Sequence, residues 1–151
     1  LRTTEAQWFR ADIMSDFGGL EPAVIQGIIG RIVSRGERAL VHVHQAGHPL
    51  LLGSDCPGNP GHANQPGLTT YHEMLALAAA GLTPAEVMAA ATINNARRFA
   101  LDDDHGTVDV GKVANLLLLT ENPLSSVAAW DRIESVILHG EVLPRESLRA
   151  D

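Results

Sequence analysis

The sequence predicts an α/β fold in which one short, buried strand is bracketed by helices and followed by a small β part. Three observations carry this. Long stretches rich in Ala, Ile and Val repeat at three-and-four spacing; a single apolar run without alternation stands at residues 49–52; β-like pieces come only after residue 102. The boundary is placed there, giving an α/β part over residues 1–102 and a β part over residues 103–151.

Each element has a local reason. Residues 1–17 are amphipathic and predicted helical, with Trp8, Ile13 and Phe17 as apolar positions, and Phe17-Gly18-Gly19-Leu20 reads as a break. From Pro22, suited to a first helical turn, the apolar positions Val24, Ile25, Ile28, Ile29, Ile32, Val33, Leu40 and Val43 mark a helix with one buried stripe. Gly27, Gly30 and Gly36 weaken it and leave room for close packing or a break, and Gly47 is a good residue to end it. Pro49-Leu50-Leu51-Leu52 then suits a strand buried on both faces, as in a parallel sheet, with Pro tolerated at its start. It runs into Gly53-Ser54-Asp55, so a carboxylate stands at the strand's C-terminal end.

Residues 56–70, rich in Pro, Gly and Asn, form a long loop of the kind that is functional or disordered. A helix follows over residues 71–80, closed by Gly81. Thr83-Pro84-Ala85-Glu86 holds a Thr cap, Pro at the first helical position and Glu at the third, which is a capping box. A further helix is predicted over residues 94–100. Asp102-Asp103-Asp104-His105-Gly106 reads as a polar turn, and strands are predicted over residues 107–110, 114–119, 133–138 and 141–143, punctuated by Gly111 and Gly140.

Composition narrows the function. Hydrophobic residues at 45% and charged residues at 19% make a globular chain rather than a disordered one. A formal net charge of -7, with scattered basic residues, excludes a nucleic-acid surface, which needs clustered Lys and Arg. Cys56 is the only cysteine, so no intramolecular disulfide forms and a cytoplasmic setting fits. The apolar run at residues 116–119 is far too short to span a membrane, and no secretory signal is visible. The chain opens on Leu1 rather than Met, which leaves room for a preceding segment.

An ordered set of motifs resembles the metal-dependent amidohydrolase superfamily. Leu50-Leu51-Leu52-Gly53-Ser54-Asp55 is similar to the last barrel strand of these enzymes. Gly81-Leu82-Thr83-Pro84-Ala85-Glu86 and Ala91-Thr92-Ile93-Asn94-Asn95-Ala96-Arg97 resemble the helices after it. Gly106-Thr107-Val108-Asp109-Val110-Gly111-Lys112-Val113-Ala114-Asn115-Leu116 resembles the segment leading into a small β-sandwich, and Asn122-Pro123-Leu124 and Ile137-Leu138-His139-Gly140-Glu141-Val142 fit as well. The resemblance covers roughly residues 40–143 and is nearest to the imidazolonepropionase-like and prolidase-like branch. It implies the C-terminal part of a (β/α)8 TIM-type barrel over residues 1–102, then strands of a small β-sandwich. It also implies a hydrolase of carbon–nitrogen bonds, with a small-molecule amide, cyclic amide or dipeptide as substrate and a homo-oligomer as a further expectation. One or two divalent metals, zinc by expectation, would have most of their ligands outside this chain. Asn115 departs from the Asp that many relatives carry there, at a position that is structural in the family.

Under that resemblance Asp55 is the catalytic and metal-binding residue. Side chains at the C-terminal ends of barrel strands face the active-site mouth. A carboxylate there can ligate a metal, take a proton from an attacking water and return it to a departing amine. His62 in the loop and His72 beside Glu73 are candidate substrate contacts, against the alternative of plain loop and helix-cap histidines. His42-Val43-His44 imitates a metal-binding His-x-His. On a strand two such residues share a face, but on a helix they diverge by roughly 200°, and these lie in the predicted helix. Cys56 lacks anything that would activate its thiol and reads as a small buried residue. Ser54 lacks the Gly two positions upstream of a nucleophile elbow, the Gly-rich loop lacks the ending of a phosphate loop, and the Asp102–Asp104 run lacks calcium-loop spacing. The competing reading is a non-catalytic α/β domain that binds a partner. Exposed apolar surface discriminates the two, because one strand and its helices cannot close a barrel and would leave a large apolar patch.

Overall fold

The computed structural model describes residues 18–55 and 67–148. The chain divides into two compact units, Leu1–His48 with Ser54–Thr70, and Pro49–Gly53 with Tyr71–Asp151. The predicted N-terminal helix, Cys56 and His62 lie outside the described residues.

In the first unit, α1 (Pro22–Gln45) runs for 24 residues with Pro at its start. Gly27, Gly30 and Gly36 do not break it, and among the described residues nothing lies within 4 Å of where their Cβ would be. It ends as expected. Gly47 takes φ +78, its N–H donates to the His44 carbonyl at 2.9 Å, and the His48 N–H donates to the Val43 carbonyl at 3.3 Å. This crossed pair satisfies two of the carbonyls that a helix end leaves open. The expected buried stripe is not buried. Ile25 alone on this helix is buried among the described residues, whereas Val24, Ile29, Ile32, Val33 and Val43 are exposed, Ile32 by 66%. Three-and-four spacing specifies that an apolar face exists, not that anything covers it.

The second unit contains α2 (Leu68–Ala79) from Tyr71 onward, α3 (Pro84–Ala91), α4 (Ile93–Arg98) and three strands. Helix α2 starts three residues before the predicted point and buries Met74 and Leu77. Gly81, at φ +106, turns the chain, and the Leu82 N–H closes back on the Leu77 carbonyl at 3.2 Å. The capping box forms as predicted: the Thr83 hydroxyl accepts from the Glu86 N–H at 3.3 Å, and the Glu86 carboxylate accepts from the Thr83 N–H at 2.7 Å. Val87 and Ala90 on α3, and Ala96 on α4, are buried and form the core of the helical part.

The polar turn after α4 folds back onto it. The Leu101 N–H bonds the Ala96 carbonyl at 2.8 Å, and the Lys112 ammonium donates to the Asp102 carbonyl at 2.6 Å. Gly106, at φ +92, sits so close to α4 that a Cβ there would lie 2.8 Å from the Ala96 Cβ. The strand predicted over residues 107–110 is absent; Val108 and Val110 are fully or largely exposed, and the segment is held by a Thr107–Asp109 side-chain contact instead of a neighbouring strand.

The remaining strands are β1 (Leu116–Leu119), β2 (Ile133–Leu138) and β3 (Glu141–Pro144), an antiparallel sheet in that order. The β2–β3 connection is His139-Gly140, with φ +49 and +85, the two-residue turn whose twist suits a hairpin. Asn115 accepts the His139 N–H on its side-chain carbonyl at 2.8 Å and so ties the turn to the start of β1. Aspartate would offer the same acceptor, which explains why Asn serves here. Ser126 caps the single 3-10 turn Val127–Asp131 between β1 and β2, burying Val127 and Ala129.

Candidate active site

The segment carrying the Gly-Ser-Asp motif is extended, but it is not a strand. Residues 50–53 pair with no strand among the described residues, and Leu51 is 43% exposed rather than buried on both faces. A strand needs a neighbour to take its N–H and C=O groups; here helices supply the partners. The Leu52 N–H donates to the Ala90 carbonyl at 3.0 Å. Asn95 Nδ2 donates to the Leu52 carbonyl and to the Ala90 carbonyl, both at 3.0 Å. Asn94 Nδ2 donates to the Leu50 carbonyl, also at 3.0 Å.

The helix ends make this possible. Ala90 lies in the last turn of α3, where carbonyls lack intrahelical donors. Thr92 breaks the helix with φ -129, its hydroxyl bonding the Met88 carbonyl at 2.7 Å, and α4 starts at once with Asn94 and Asn95 in its first turn. Carbonyls of alternate residues on an extended chain point to one side, so Leu50 and Leu52 present theirs to two adjacent amides. The sequence reading missed both asparagines, because nothing in their spacing marks a side chain that serves as a strand's partner.

Asp55 follows Gly53 and Ser54 and is exposed. Its φ of +49 lies in the left-handed region, which Asp tolerates better than most residues and which ends the extended run. His72 is not at the helix start but in the second turn of α2; it is exposed, its ring centroid 6.4 Å from that of Tyr71. His42 and His44 lie on α1, as the periodicity required, one exposed and the other half-buried. Among the described residues no group of three His, Cys, Asp or Glu side chains could hold a metal ion, and no helix is long and apolar enough to cross a membrane. The donor chemistry of Asp55 fits a divalent cation such as zinc as one oxygen ligand; it does not amount to a set.

Comparisons with known proteins agree with the motif order. The family model described as "Amidohydrolase family" matches residues 28–143. An imidazolonepropionase from Flavobacterium johnsoniae is 33% identical over 105 residues, covering 66% of this chain and 24% of that protein. The crystal structure of an amidohydrolase superposes with a TM-score of 0.69 at 28% identity, over 90% of this chain and 32% of the other. That of a Xaa-Pro dipeptidase with methionine in its active site superposes with a TM-score of 0.68 over 90% of this chain and 33% of the other; at 18% identity this is a likeness of fold. The chain thus spans about a quarter of the length of the imidazolonepropionase it matches. With a family match across most of its residues, the chain belongs to the amidohydrolase family.

Proposed function

We propose that this chain is the C-terminal portion of a metal-dependent hydrolase of carbon–nitrogen bonds, acting on small amides, cyclic amides or dipeptides. The observation that carries the reading is the family match across residues 28–143, which includes an exposed aspartate at the end of an extended, helix-held segment. In this reading residues 1–102 complete a barrel built mainly from chain outside these residues, and residues 103–151 belong to a small β-sandwich. The apolar face of α1 supports it, since Ile29, Ile32 and Val33 are what a helix packed on a larger body would bury. A cytosolic setting rests on the single cysteine.

Asp55 supplies one ligand to a divalent metal, proposed as zinc, and the other ligands come from outside the chain. When bound, such a metal supplies a water whose pKa falls to about 7. Asp55's own part is to accept a proton at a carboxylate oxygen during attack and to release it to the departing amine, which makes one side chain base and then acid. His62 and His72 are proposed as substrate contacts beyond the metal. His42 and His44 take no part, and changing both to Ala leaves metal content unaltered.

The test is hydrolysis of a panel of cyclic amides, simple amides and dipeptides ending in proline by the complete gene product, with and without zinc. Asp55→Asn lowers kcat by on the order of 10²–10⁴ while the protein stays folded. Unchanged turnover in that variant would sink the assignment of Asp55. The non-catalytic binding reading gains ground only if the complete product hydrolyses nothing in the panel and carries no metal.

A further inference from the structure

Resting on the proposal that these residues are part of a larger protein, we infer that the outer edge of β1 is an interaction surface. In the complete gene product an apolar strand from the rest of the chain pairs along it, while β3 stays the true edge of the sheet. Among the described residues the sheet ends at β1 on one side and at β3 on the other. Main-chain groups alternate sides along a strand. The Ala114 carbonyl accepts from the Gly140 N–H at 3.0 Å, and the Arg132 carbonyl from the Thr120 N–H at 2.9 Å. Even-numbered positions of β1 therefore turn toward β2, and Leu117 and Leu119 turn their N–H and C=O groups outward. On the far side, Leu138 and Glu141 flank the two-residue turn as its hydrogen-bonded pair, so Val142 and Pro144 face outward there.

The two edges differ in chemistry. β3 carries what a solvent-facing edge needs, a charge at Glu141 and, at Pro144, no N–H to offer. β1 is four consecutive leucines with neither charge nor Pro. Its one irregularity leaves β1 regular, because Leu118 pairs with Ser135 and Leu119 with Ile133, which puts the extra residue, Glu134, on β2. Paired residues share a face, so Leu117 lies with Val136 and Leu143, and Leu118 lies on the opposite face with Ser135 and Pro144. Leu117 is 45% exposed and Leu118 49%. A strand that is apolar on both faces belongs inside a covered sheet, not at its border, and the strand beside it must be apolar on both faces as well. That strand is assigned to the rest of the chain, because these residues span only 24% of the imidazolonepropionase and 32% of the amidohydrolase structure. A second copy pairing through β1 would close the edge yet leave both faces of the doubled sheet bare.

The test is residue-resolved hydrogen exchange in the complete gene product, with Val142 as the internal reference. The Leu117 and Leu119 N–H groups should exchange within about tenfold of Leu118, and Val142 at least about 100-fold faster than Leu117. The pattern should not depend on protein concentration. Protection that appears only as the product dimerises assigns the edge to a second copy and overturns the proposal. Free exchange at Leu117 and Leu119 overturns it too, as does protection of Val142 equal to theirs. Leu117→Pro and Val142→Pro each remove one outward N–H. The first should lower Tm at least about threefold more than the second, since Pro is tolerated on an edge but not between paired strands; equal shifts count against the proposal. If Leu117→Pro does not fold, exchange in the unaltered product decides. A product that hydrolyses nothing in the panel and holds no metal, yet protects Leu117, loses the hydrolase reading and keeps the edge. A zinc-dependent hydrolase in which Leu117 exchanges freely keeps the hydrolase reading and loses the edge.

Discussion

Asn95 donates its side-chain amide to the main-chain carbonyl of Leu52 at 3.0 Å, across 43 positions of sequence. The bond joins the first turn of α4 to an extended segment that has no strand beside it among the described residues. Stability should feel its loss. Asn95→Leu leaves the Leu52 carbonyl without that donor, at a cost of about 1–3 kcal/mol. Urea unfolding of the variant against the parent measures it; a change below about 0.5 kcal/mol would mean that water replaces the amide.

Gly106 is required twice over, by its φ of +92 and by the 2.8 Å that would separate a Cβ from Ala96. Gly106→Ala should cost about 2–4 kcal/mol, combining left-handed strain with overpacking. Gly111 has a similar φ of +91 with nothing described within 4 Å, so Gly111→Ala should cost only about 1–2 kcal/mol. Thermal melts of the two variants side by side separate backbone strain from close approach.

The reciprocal bonds of Thr83 and Glu86 define the start of α3. Thr83→Ala should cost about 1 kcal/mol. A double-mutant cycle with Glu86→Ala should give a coupling of about 0.5 kcal/mol or more. Strict additivity would show that the two bonds are independent.

Asn115→Asp should be close to neutral, within about 0.5 kcal/mol, because either side chain offers an oxygen to the His139 N–H. Asn115→Leu removes that acceptor and should cost about 1 kcal/mol. The chemical shift and exchange rate of the His139 amide report the difference directly.

The exposed face of α1 predicts behaviour in solution. The 151-residue chain alone should self-associate, and Ile32→Lys with Val33→Lys should reduce the association, measured by light scattering against concentration. A monodisperse, cooperatively melting monomer of the unaltered chain would weigh against its being part of a larger barrel.

Where a feature depends on neighbours in sequence, it was legible in advance. Pro22 and Gly47 bound α1, Thr83 and Glu86 start α3, Gly81 stops α2, and Gly140 turns the hairpin. Each acts through its own backbone angles or through bonds spanning only a few residues, so its effect is written into the local sequence. The order of motifs over roughly residues 40–143 carried the family in the same way, and the family model matches residues 28–143.

What tertiary structure alone decided is which groups meet across distance. An apolar run of Leu50, Leu51 and Leu52 reads as a buried strand, but burial and pairing depend on neighbours, and here the partners are Ala90, Asn94 and Asn95. Likewise, periodicity gave α1 an apolar face, yet Ile32 is exposed because a period fixes where side chains point and not what lies opposite. Adjacent asparagines have no periodic signature, and their use as a latch emerges only once the chain has folded back over some forty residues.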